Sequence, residues 1–350
     1  MNRILIAPLN WGLGHATRCV PIIDTILKNG DEVIIASDGQ ALLFLQRQYP
    51  LVKCFEFPSY DISYSKKGKF LKWKLLKAVP KINKAIKAEH KLTSKLIASE
   101  GITGIISDNR LGVYNTNVPS VIITHQLRVF SGWATWISTR IHQNFIKKFD
   151  RCWVPDVDTK PNLSGRLGHR KNTSIKVKYL GIVSRMKFKP LPKVYDLMVL
   201  LSGPEPQRSL LEQILFEQLK DYQGKILFVK GIVEAEQFIQ QRKQFTVINY
   251  MIGEALQTAL NESDLIISRS GYSTILDLAV LNKKAFFIPT SGQTEQEYLA
   301  KKFDEENIAP YCTQEEFDLD QLRRVENYSG FNDFNSKNNI EALLDFFKCE

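Results

Sequence analysis

The stretch APLNWGLGHATR, residues 7–18, places two glycines and a histidine directly after the apolar run ILIA. A glycine-rich turn between a strand and a helix faces the crevice where ligands bind in open α/β sheets. His15, at the start of the predicted helix, could accept a proton near neutral pH. Three interpretations stay open at this point: a dinucleotide-binding turn, a structural turn, and a catalytic loop beside a reacting hydroxyl group.

The dinucleotide interpretation requires a third glycine and an acid after the second strand. Asp38 has the position of that acid, but Thr17 stands where the GxGxxG pattern needs glycine. The sequence therefore favours a catalytic loop over a nicotinamide or flavin site. Asp108 and His125 end the predicted strands ITGIISD and PSVIITH, and we expect both near the same crevice, as rival bases or helpers of His15.

A second constellation spans residues 264–300, DLIISRSGYSTILDLAVLNKKAFFIPTSGQTEQEYLA. The strand ending at SRSG supplies small residues and free amides at a helix N-terminus, an arrangement that receives phosphate oxygens. Asp277 follows Gly271 by six residues, which is less than two helical turns, and could accept hydrogen bonds from ribose hydroxyls. The segment PTSGQTEQE offers side chains that match sugar hydroxyls, namely Gln293, Glu295, Gln296 and Glu297. The alternative is an ordinary helix N-terminus enriched in acids.

The segment 65–96 contains 11 lysines and a single acid, Glu89. Its apolar residues recur at spacings of three and four, which predicts an amphipathic helix bent near Pro80 and flanked by Phe70 and Trp73. Those apolar residues are Leu71, Leu75, Val79, Ile82 and Ile86. Such a helix could lie on an anionic membrane, or it could be a solvated lysine face on a helix packed against its own domain. Nucleic-acid binding is disfavoured because no recognised nucleic-acid motif accompanies the charge.

Length and composition predict a globular protein of two domains. Of the 350 residues, 44% are hydrophobic and 24% are charged, and the N-terminus predicts a first strand rather than a signal peptide. Residues 1–185 have 29 Lys and Arg against 12 Asp and Glu, a net charge of +17; residues 186–350 have 18 against 25, a net −7. The five cysteines lack metal-binding or disulfide spacing. We expect a cytoplasmic protein with reduced thiols and no bound metal.

Strands and helices alternate along both halves of the chain, on either side of a linker at about residues 181–196. This order predicts a parallel, doubly wound sheet in each half. The expected fold class is therefore α/β, with two Rossmann-like domains facing a cleft. Among the expected elements are a helix in AEQFIQQRK, residues 235–243, and a last helix in NIEALLDFFK.

The two constellations together resemble those of nucleotide-sugar glycosyltransferases of the GT-B fold. The resemblance is to glycosyltransferase family 28, which includes the peptidoglycan N-acetylglucosaminyltransferase and plant galactolipid synthases. The GxGHxxR signature of one subgroup is matched by Gly12, Gly14, His15 and Arg18. Extending over nearly the whole chain, the resemblance implies an acceptor-binding domain at 1–185, a donor-binding domain at 186–333 and a C-terminal helix at 334–350 that crosses back to the first domain.

Residue roles follow from the same resemblance. Asp277 stands where the family usually has a ribose-binding Glu, and Gln296 matches a residue that contacts the donor sugar. The implied catalytic residues are His15, Asp108 and His125, and the acceptor loop contains Gly12, Gly14 and Arg18. The implied donor site consists of Ser202, Gly203, Tyr250, Met251, Arg269, Ser270, Gly271, Thr274, Asp277, Gln293, Glu295, Gln296 and Glu297.

The implied activity is transfer of a sugar from a nucleoside-diphosphate sugar, a UDP-sugar in this family, to an acceptor hydroxyl, with inversion. The nucleotide sugar is a co-substrate, and neither a cofactor nor a metal is expected. The expected partners are the donor, a sugar or lipid-linked acceptor and an anionic membrane surface at residues 65–96, so the protein would be peripheral on the inner face of the membrane. Two alternatives stay open: an epimerase or hydrolase acting on the donor alone, and a non-catalytic protein that binds a nucleotide sugar or anionic lipid.

Overall fold

The computed structural model describes residues 1–60, 71–170, 173–232, 234, 236–334 and 338–348, excluding the side chains of 71–78 and 133. Residues 65–70 of the lysine-rich segment, Phe70 among them, and the Trp73 side chain lie outside the described residues. The chain divides into two compact units between Arg185 and Met186, and the C-terminal helix joins the first unit. No helix in the described part is long and apolar enough to cross a bilayer.

Within the described residues, the first unit contains a seven-stranded parallel sheet in the order β3, β2, β1, β4, β5, β6, β7. Its strands are β1 (Arg3–Pro8), β2 (Glu32–Ser37), β3 (Lys53–Glu56), β4 (Gly104–Asp108), β5 (Ser120–Ile123), β6 (Arg151–Val154) and β7 (Val177–Tyr179). Its helices are α1 (Gly14–Lys28), α2 (Gly39–Gln48), α3 (Leu71–Glu100) and α4 (Thr135–Ile146). Strands β4 and β5 are buried throughout, as expected for β-branched runs in a parallel sheet.

The strand order of this sheet reverses between β1 and β4. From β1 the chain proceeds to β2 and β3 on one side, whereas β4 continues the sheet on the other. Pro8 pairs with Asp108 in the register of the two strands. Their carboxyl ends therefore form a topological switch point, which is where ligands bind in open α/β sheets.

Within the described residues, the second unit contains a six-stranded sheet in the order β10, β11, β9, β8, β12, β13. Its strands are β8 (Tyr195–Leu200), β9 (Ile226–Val229), β10 (Ile239–Arg242), β11 (Phe245–Ile248), β12 (Ser263–Ser268) and β13 (Lys284–Phe287). Its helices are α5 (Gln207–Gln218), α6 (Gly253–Asn261), α7 (Tyr272–Val280) and α8 (Thr294–Glu305). The order reverses between β8 and β12, where Leu200 pairs with Ser268. This unit thus has a switch point of its own.

The helix predicted over residues 235–243 is wrong. Ile239–Arg242 form β10, which pairs antiparallel with β11 through a turn containing Lys243 at φ 52°. The helical pattern required Phe238 and Ile239 to face a core, but the two side chains are 43% and 64% exposed. Because all four residues of this edge strand are exposed, apolar and polar residues do not alternate along it, and the sequence pattern did not identify it as a strand.

The C-terminal helix α9 (Ile340–Leu344) packs in the first unit. Ile340, Leu344 and Phe347 join the core formed by α1, α2 and one face of the sheet. The Phe347 ring lies edge-on to Trp153, with 6.0 Å between the ring centroids. Apolar packing therefore attaches this end of the chain to the first unit.

The described part of the segment 65–96 separates its lysines from its single acid. Glu89 is fully buried in α3. It accepts hydrogen bonds from the Tyr60 hydroxyl at 2.8 Å and the Gly112 N–H at 3.1 Å, and its carboxylate lies 3.2 Å from the guanidinium of Arg110. The exposed lysines on the same helix are Lys81, Lys84, Lys87, Lys91 and Lys95. The acid of the segment thus faces the interior, and the outer face of this part of α3 is cationic.

Glu89 gives a prediction about pH. Burial raises the pKa of Glu89 to about 7, against the opposing effect of Arg110. Because this pKa lies above the unfolded value, the stability that the protonated carboxyl contributes is complete below the unfolded pKa and is lost as pH rises through about 7. Urea denaturation between about pH 5 and pH 8 should show the wild type losing on the order of 3 kcal/mol or less relative to Glu89→Gln. Parallel pH profiles would instead show that Arg110 keeps Glu89 ionised.

Candidate active site

The turn after β1 is built to expose the start of α1. Gly12 has φ +79°, a conformation that favours glycine, and a Cβ there would meet no atom within 4 Å. Helix α1 begins at Gly14 with no side-chain cap and no acid in its first turn. Its first N–H groups are therefore not occupied by a carboxylate of the first turn.

His15, Arg18 and Asp108 form a triangle of close polar contacts at the switch point of the first unit, in which both His15 and Arg18 bond to Asp108. Arg18 donates from Nε to Asp108 Oδ2 at 2.8 Å and from Nη2 to Oδ1 at 2.5 Å. His15 Nδ1 lies 2.9 Å from Asp108 Oδ1 and 2.8 Å from Arg18 Nη2. Because His15 and Arg18 are three residues apart on α1, they share a face of the helix. The structure thus brings together three of the predicted site residues.

The triangle leaves the imidazole as its accessible member. The His15 side chain is 13% exposed, whereas those of Arg18 and Asp108 are buried. In the tautomer whose Nδ1 carries the proton and donates a hydrogen bond to Asp108, Nδ1 accepts no bond from Arg18, and the lone pair of Nε2 is available to a substrate hydroxyl. This is the arrangement that a general base requires.

Asp108 remains ionised although it is buried. Burial alone would raise the pKa of its carboxyl, but Arg18 and His15 hold that pKa well below the usual range through their charges and hydrogen bonds. Burial and the Asp108 charge together raise the pKa of the Cys19 thiol, whose Sγ lies 3.8 Å from Asp108 Oδ2. The site therefore pairs a carboxylate with an imidazole, beside a neutral thiol.

A second buried network fixes the start of the glycine loop. Arg110 forms an ion pair with Asp38, and its Nε donates to the carbonyl of Pro8 at 3.2 Å. Asn10 donates to Asp38 Oδ2 at 3.2 Å and accepts from the N–H of Ala41 at 3.3 Å. Asp38, the acid considered for ribose, is thus bonded inside the protein. Asn10 and Arg110 were not among the predicted site residues. Asn10 lies in the stretch 7–18 and Arg110 follows Asp108 by two residues, so their positions in the sequence could have indicated them.

His125 lies just beyond β5 and is buried. It lies within electrostatic range of a second histidine, His142 of α4. Burial, and then His125, lower the pKa of His142 to about 4, so His142 is neutral at physiological pH. His125 is thus associated with another imidazole, while His15 is the histidine bonded to Asp108.

Arg269 ties together loops at the switch point of the second unit. It is 1% exposed, and its guanidinium donates to the carbonyls of Ile288 and Pro289 at 3.1 Å each, to that of Gln207 at 2.7 Å and to Gln314 Oε1 at 2.9 Å. Burial lowers the pKa of Arg269 to about 10. The guanidinium therefore bonds the interior of the unit, and its role in this geometry is to position the loops.

Ser270 and Gln296 add further hydrogen bonds between the loops at this switch point. The Ser270 hydroxyl donates to the carbonyl of Gln296 at 2.8 Å, and Gln296 Oε1 accepts from the N–H of Thr290 at 2.8 Å. Glu297 Oε1 accepts from the N–H of Gly292 at 2.8 Å. These three bonds join α8 to the ends of β12 and β13. They involve neither the amide nitrogen of Gln296 nor the second carboxylate oxygen of Glu297.

The other predicted donor-site residues lie on the carboxyl side of the same strands or in the helices that follow. Gly203, at φ +103°, follows β8, and a Cβ on it would lie 4.0 Å from Thr290 Oγ1. Gly271 caps α7, whose first two turns contain Thr274 and the half-buried Asp277. The remaining members are Ser202, which is exposed after β8; Tyr250 and Met251, which are half-buried after β11; and Gln293 and Glu295, at the start of α8.

Asn249 was not predicted, yet it organises the segment beside Tyr250. The side chain is fully buried and donates to Glu234 Oε2 at 2.8 Å and to the carbonyl of Glu236 at 2.9 Å, while its Oδ1 accepts from the N–H of Phe238 at 3.0 Å. A single asparagine in an irregular stretch gives no sequence signal. Among the described residues, no group of three or more His, Cys, Asp or Glu has a metal-binding arrangement.

The positioning role of Arg269 can be tested by substitution. Arg269→Met removes the donor for four buried oxygens, so we expect the free energy of unfolding to fall by about 3 to 5 kcal/mol, as for other broken buried charge networks. Urea denaturation measures this, and Arg323→Met, at an exposed arginine of the same unit, is the matched control. A variant that unfolds like the wild type would contradict the positioning role.

The sequence of this chain is similar to those of glycosyltransferases. Residues 199–338 match the model of the glycosyltransferase family 28 C-terminal domain. The UDP-N-acetylglucosamine--N-acetylmuramyl-(pentapeptide) pyrophosphoryl-undecaprenol N-acetylglucosamine transferase of Clostridium tetani is 22% identical, over 99% of this chain and 98% of its own length. The enzyme of the same name from Haemophilus ducreyi is 23% identical over 52% of this chain, and the match spans about half, 49%, of that relative.

Solved structures match over nearly the whole chain. MurG of Acinetobacter baumannii has a TM-score of 0.60 at 13% identity, with 99% of each chain covered. The glycosyltransferase SnogD of Streptomyces nogalater has a TM-score of 0.62 at 14% identity, covering 99% of this chain and 95% of its own. These similarities confirm the predicted α/β fold of the GT-B type.

Proposed function

We propose that this chain, which has the GT-B fold and whose residues 199–338 match the family 28 C-terminal domain, is a glycosyltransferase that moves a sugar from a UDP-sugar to a hydroxyl of a lipid-linked acceptor. Two relatives named for a UDP-sugar donor and a pyrophosphoryl-undecaprenol acceptor support both substrate classes. The nucleotide sugar is a co-substrate, and the reaction uses no bound cofactor or metal.

The observation that carries the proposal is the 2.9 Å contact between His15 Nδ1 and Asp108 Oδ1 at the switch point of the first unit. In the reaction, Nε2 of His15 takes the proton of the acceptor hydroxyl. The hydroxyl oxygen bonds to the anomeric carbon as the bond from that carbon to the phosphate oxygen breaks, and the electron pair leaves with the nucleoside diphosphate. Direct displacement inverts the anomeric centre. Asp108 stabilises the imidazolium that forms.

The second unit holds the donor in this proposal. The N-terminus of α7 receives the diphosphate, because its N-cap residue, Gly271, has no side chain to occupy the first N–H groups. Asp277 accepts hydrogen bonds from the ribose, and Gln296 and Glu297 orient the sugar. Arg269 acts indirectly, because its bonds to the loops keep these groups in place.

The protein is proposed to act on the cytoplasmic side, peripheral to the membrane. The supporting observation is the exposed lysine face on the described part of α3, where Glu89 is buried. A cationic face attracts anionic lipid through long-range electrostatics. The lipid-linked acceptor would lie in the same surface.

Calorimetric titration tests the donor site. We expect UDP to bind the wild type and Asp277→Ala to bind it at least about tenfold more weakly, since the variant loses hydrogen bonds to a charged acceptor worth about 1.5 kcal/mol or more. Asn332→Ala, an exposed position in the same unit, is the control. Absence of binding by any uridine or related diphosphate would rule out the proposed donor.

A second test assigns the base. His15→Asn should bind UDP as the wild type does but lose transfer by about 10² to 10⁴ in kcat, the usual contribution of a general base. His90→Asn is the matched control, because His90 stacks on Tyr114 on another element of the same unit. Equal loss of binding and transfer in His15→Asn would make His15 structural. Donor consumption without an acceptor would instead favour a hydrolase or an epimerase.

A further inference from the structure

Strand β10 is an exposed edge of the sheet in the second unit. It stands at one end of the strand order, and the residues from Gln237 to Lys243 are all exposed. The strand at the other end, β13, is covered by the chain that follows α8. There the N–H of Phe287 donates to the carbonyl of Pro310 at 2.9 Å, and the Phe287 carbonyl accepts from the N–H of Cys312 at 3.2 Å. Among the described residues, β10 has no such cover.

The hydrogen bonds of β11 determine which way the backbone groups of β10 point. The carbonyl of Ile248 faces β9, where it accepts an N–H at 2.9 Å. Because backbone groups alternate in direction along a strand, those of Val247 face β10, where Val247 is in register with Gln240. The N–H and C=O groups of Gln240 therefore point inward. Those of its neighbours, Ile239 and Gln241, point away from the sheet.

The segment EQFIQQR, residues 236–242, has charges that are self-complementary. Glu236 stands three residues before Ile239, and Arg242 stands three residues after it. If two copies of the strand paired antiparallel about Ile239, each Glu236 would lie opposite the partner's Arg242. The five residues between the two charges include neither a charged residue nor a proline, which are features that natural edge strands use to prevent such pairing.

Backbone direction and charge select the same register. Pairing about Ile239 uses N–H and C=O groups that point outward, so the two copies of this residue can exchange both hydrogen bonds. Pairing about Gln240 would bring together residues whose backbone groups point inward. Pairing about Gln241 suits the backbone, but it places Arg242 opposite the partner's Gln240 and leaves Glu236 with no cation opposite it. The register about Ile239 is therefore favoured.

The start of this edge is ordered by bonds within the unit. Asn249 Oδ1 accepts from the N–H of Phe238 at 3.0 Å, and the Asn249 amide donates to the carbonyl of Glu236 at 2.9 Å. The Gln237 side chain donates to the carbonyl of Tyr250 at 2.6 Å. These bonds fix the backbone from Glu236 onward, so little conformational freedom is lost when a second strand pairs with it.

We propose that this chain forms a homodimer with two-fold symmetry through β10, in which the sheets of the two second units join antiparallel about Ile239. A two-fold axis requires a self-complementary surface, which residues 236–242 provide. The contact involves one strand from each copy, so the interface is small and the dissociation constant is expected in the micromolar range. The proposal goes beyond the proposed function, because the dimer requires neither donor nor acceptor. An extended segment of another protein is the competing occupant of the edge.

Analytical ultracentrifugation of the full chain, at concentrations up to about 200 μM, tests the dimer. Glu236→Arg and Arg242→Glu each place like charges opposite one another at both ends of the contact. Each variant alone should therefore have a dimer dissociation constant at least about tenfold higher than the wild type. An equimolar mixture of the two should form a heterodimer, because opposite charges then face each other at both ends. The matched control is Glu326→Arg, at an exposed acid of the same unit, which should dimerise like the wild type.

A proline variant tests the backbone pairing itself. Ile239→Pro removes the N–H that each copy donates at the two-fold axis. Because this N–H points away from β11, we expect the variant to be monomeric yet to keep the circular dichroism spectrum of the wild type. Three results would overturn the proposal: a wild type that stays monomeric, a mixture of the two charge variants that does not associate, or a dimer that persists in Ile239→Pro. UDP titration reports on the proposed function separately, so the two failures can be distinguished.

Discussion

The first unit depends on how a fully buried carboxylate, Asp108, is neutralised. A carboxylate without partners in a protein interior is too costly to persist, so its neighbours are constrained. Strand pairing places Asp108 beside Pro8, at the end of β1. The helix that follows β1 then supplies Arg18 and His15 on one face. The charge of Asp108 thus determines the start of α1, and with it the orientation of the one imidazole in the triangle that a substrate can reach.

In the second unit, the buried charge at the switch point is a cation rather than an anion. Arg269 is buried where β12 ends, and backbone carbonyls together with Gln314 neutralise it instead of a carboxylate. Carbonyl oxygens come from loops, so a guanidinium in this position holds several loops at once, which a carboxylate at the same place would repel. One buried ion therefore organises each switch point. In the first unit it aligns a side chain that can take a proton, and in the second it fixes the loops that follow β12 and β13.

Much of this arrangement was predictable because parallel sheets constrain it strongly. Alternating strands and helices give the fold class, and the carboxyl ends of β1 and β4 must be neighbours at a switch point, which explains why His15 and Asp108 could be placed together. The partners of Arg18 and Arg269 could not be predicted, since each depends on residues distant in the chain, such as Asp108 and Ile288. The edge strand β10 was missed because its side chains are exposed and leave no periodic pattern. The site roles themselves are still predictions.

Helix α4 shows why apolar spacing alone does not determine which side of a helix is buried. Its apolar residues would fit a core just as well as a surface, and only the hydrogen bonds of Ser138, Thr139 and Gln143 to residues 127–131 decide the matter. Those bonds need their polar partners inside, so Trp136, Ile137 and Ile141 point outward, although Ile146 at the end of the same helix is buried. The same reasoning applies in reverse to α3, where burial of Glu89 leaves an outer face of lysines. In both helices, a polar group that has to be satisfied in the interior determines what the exterior presents to a partner.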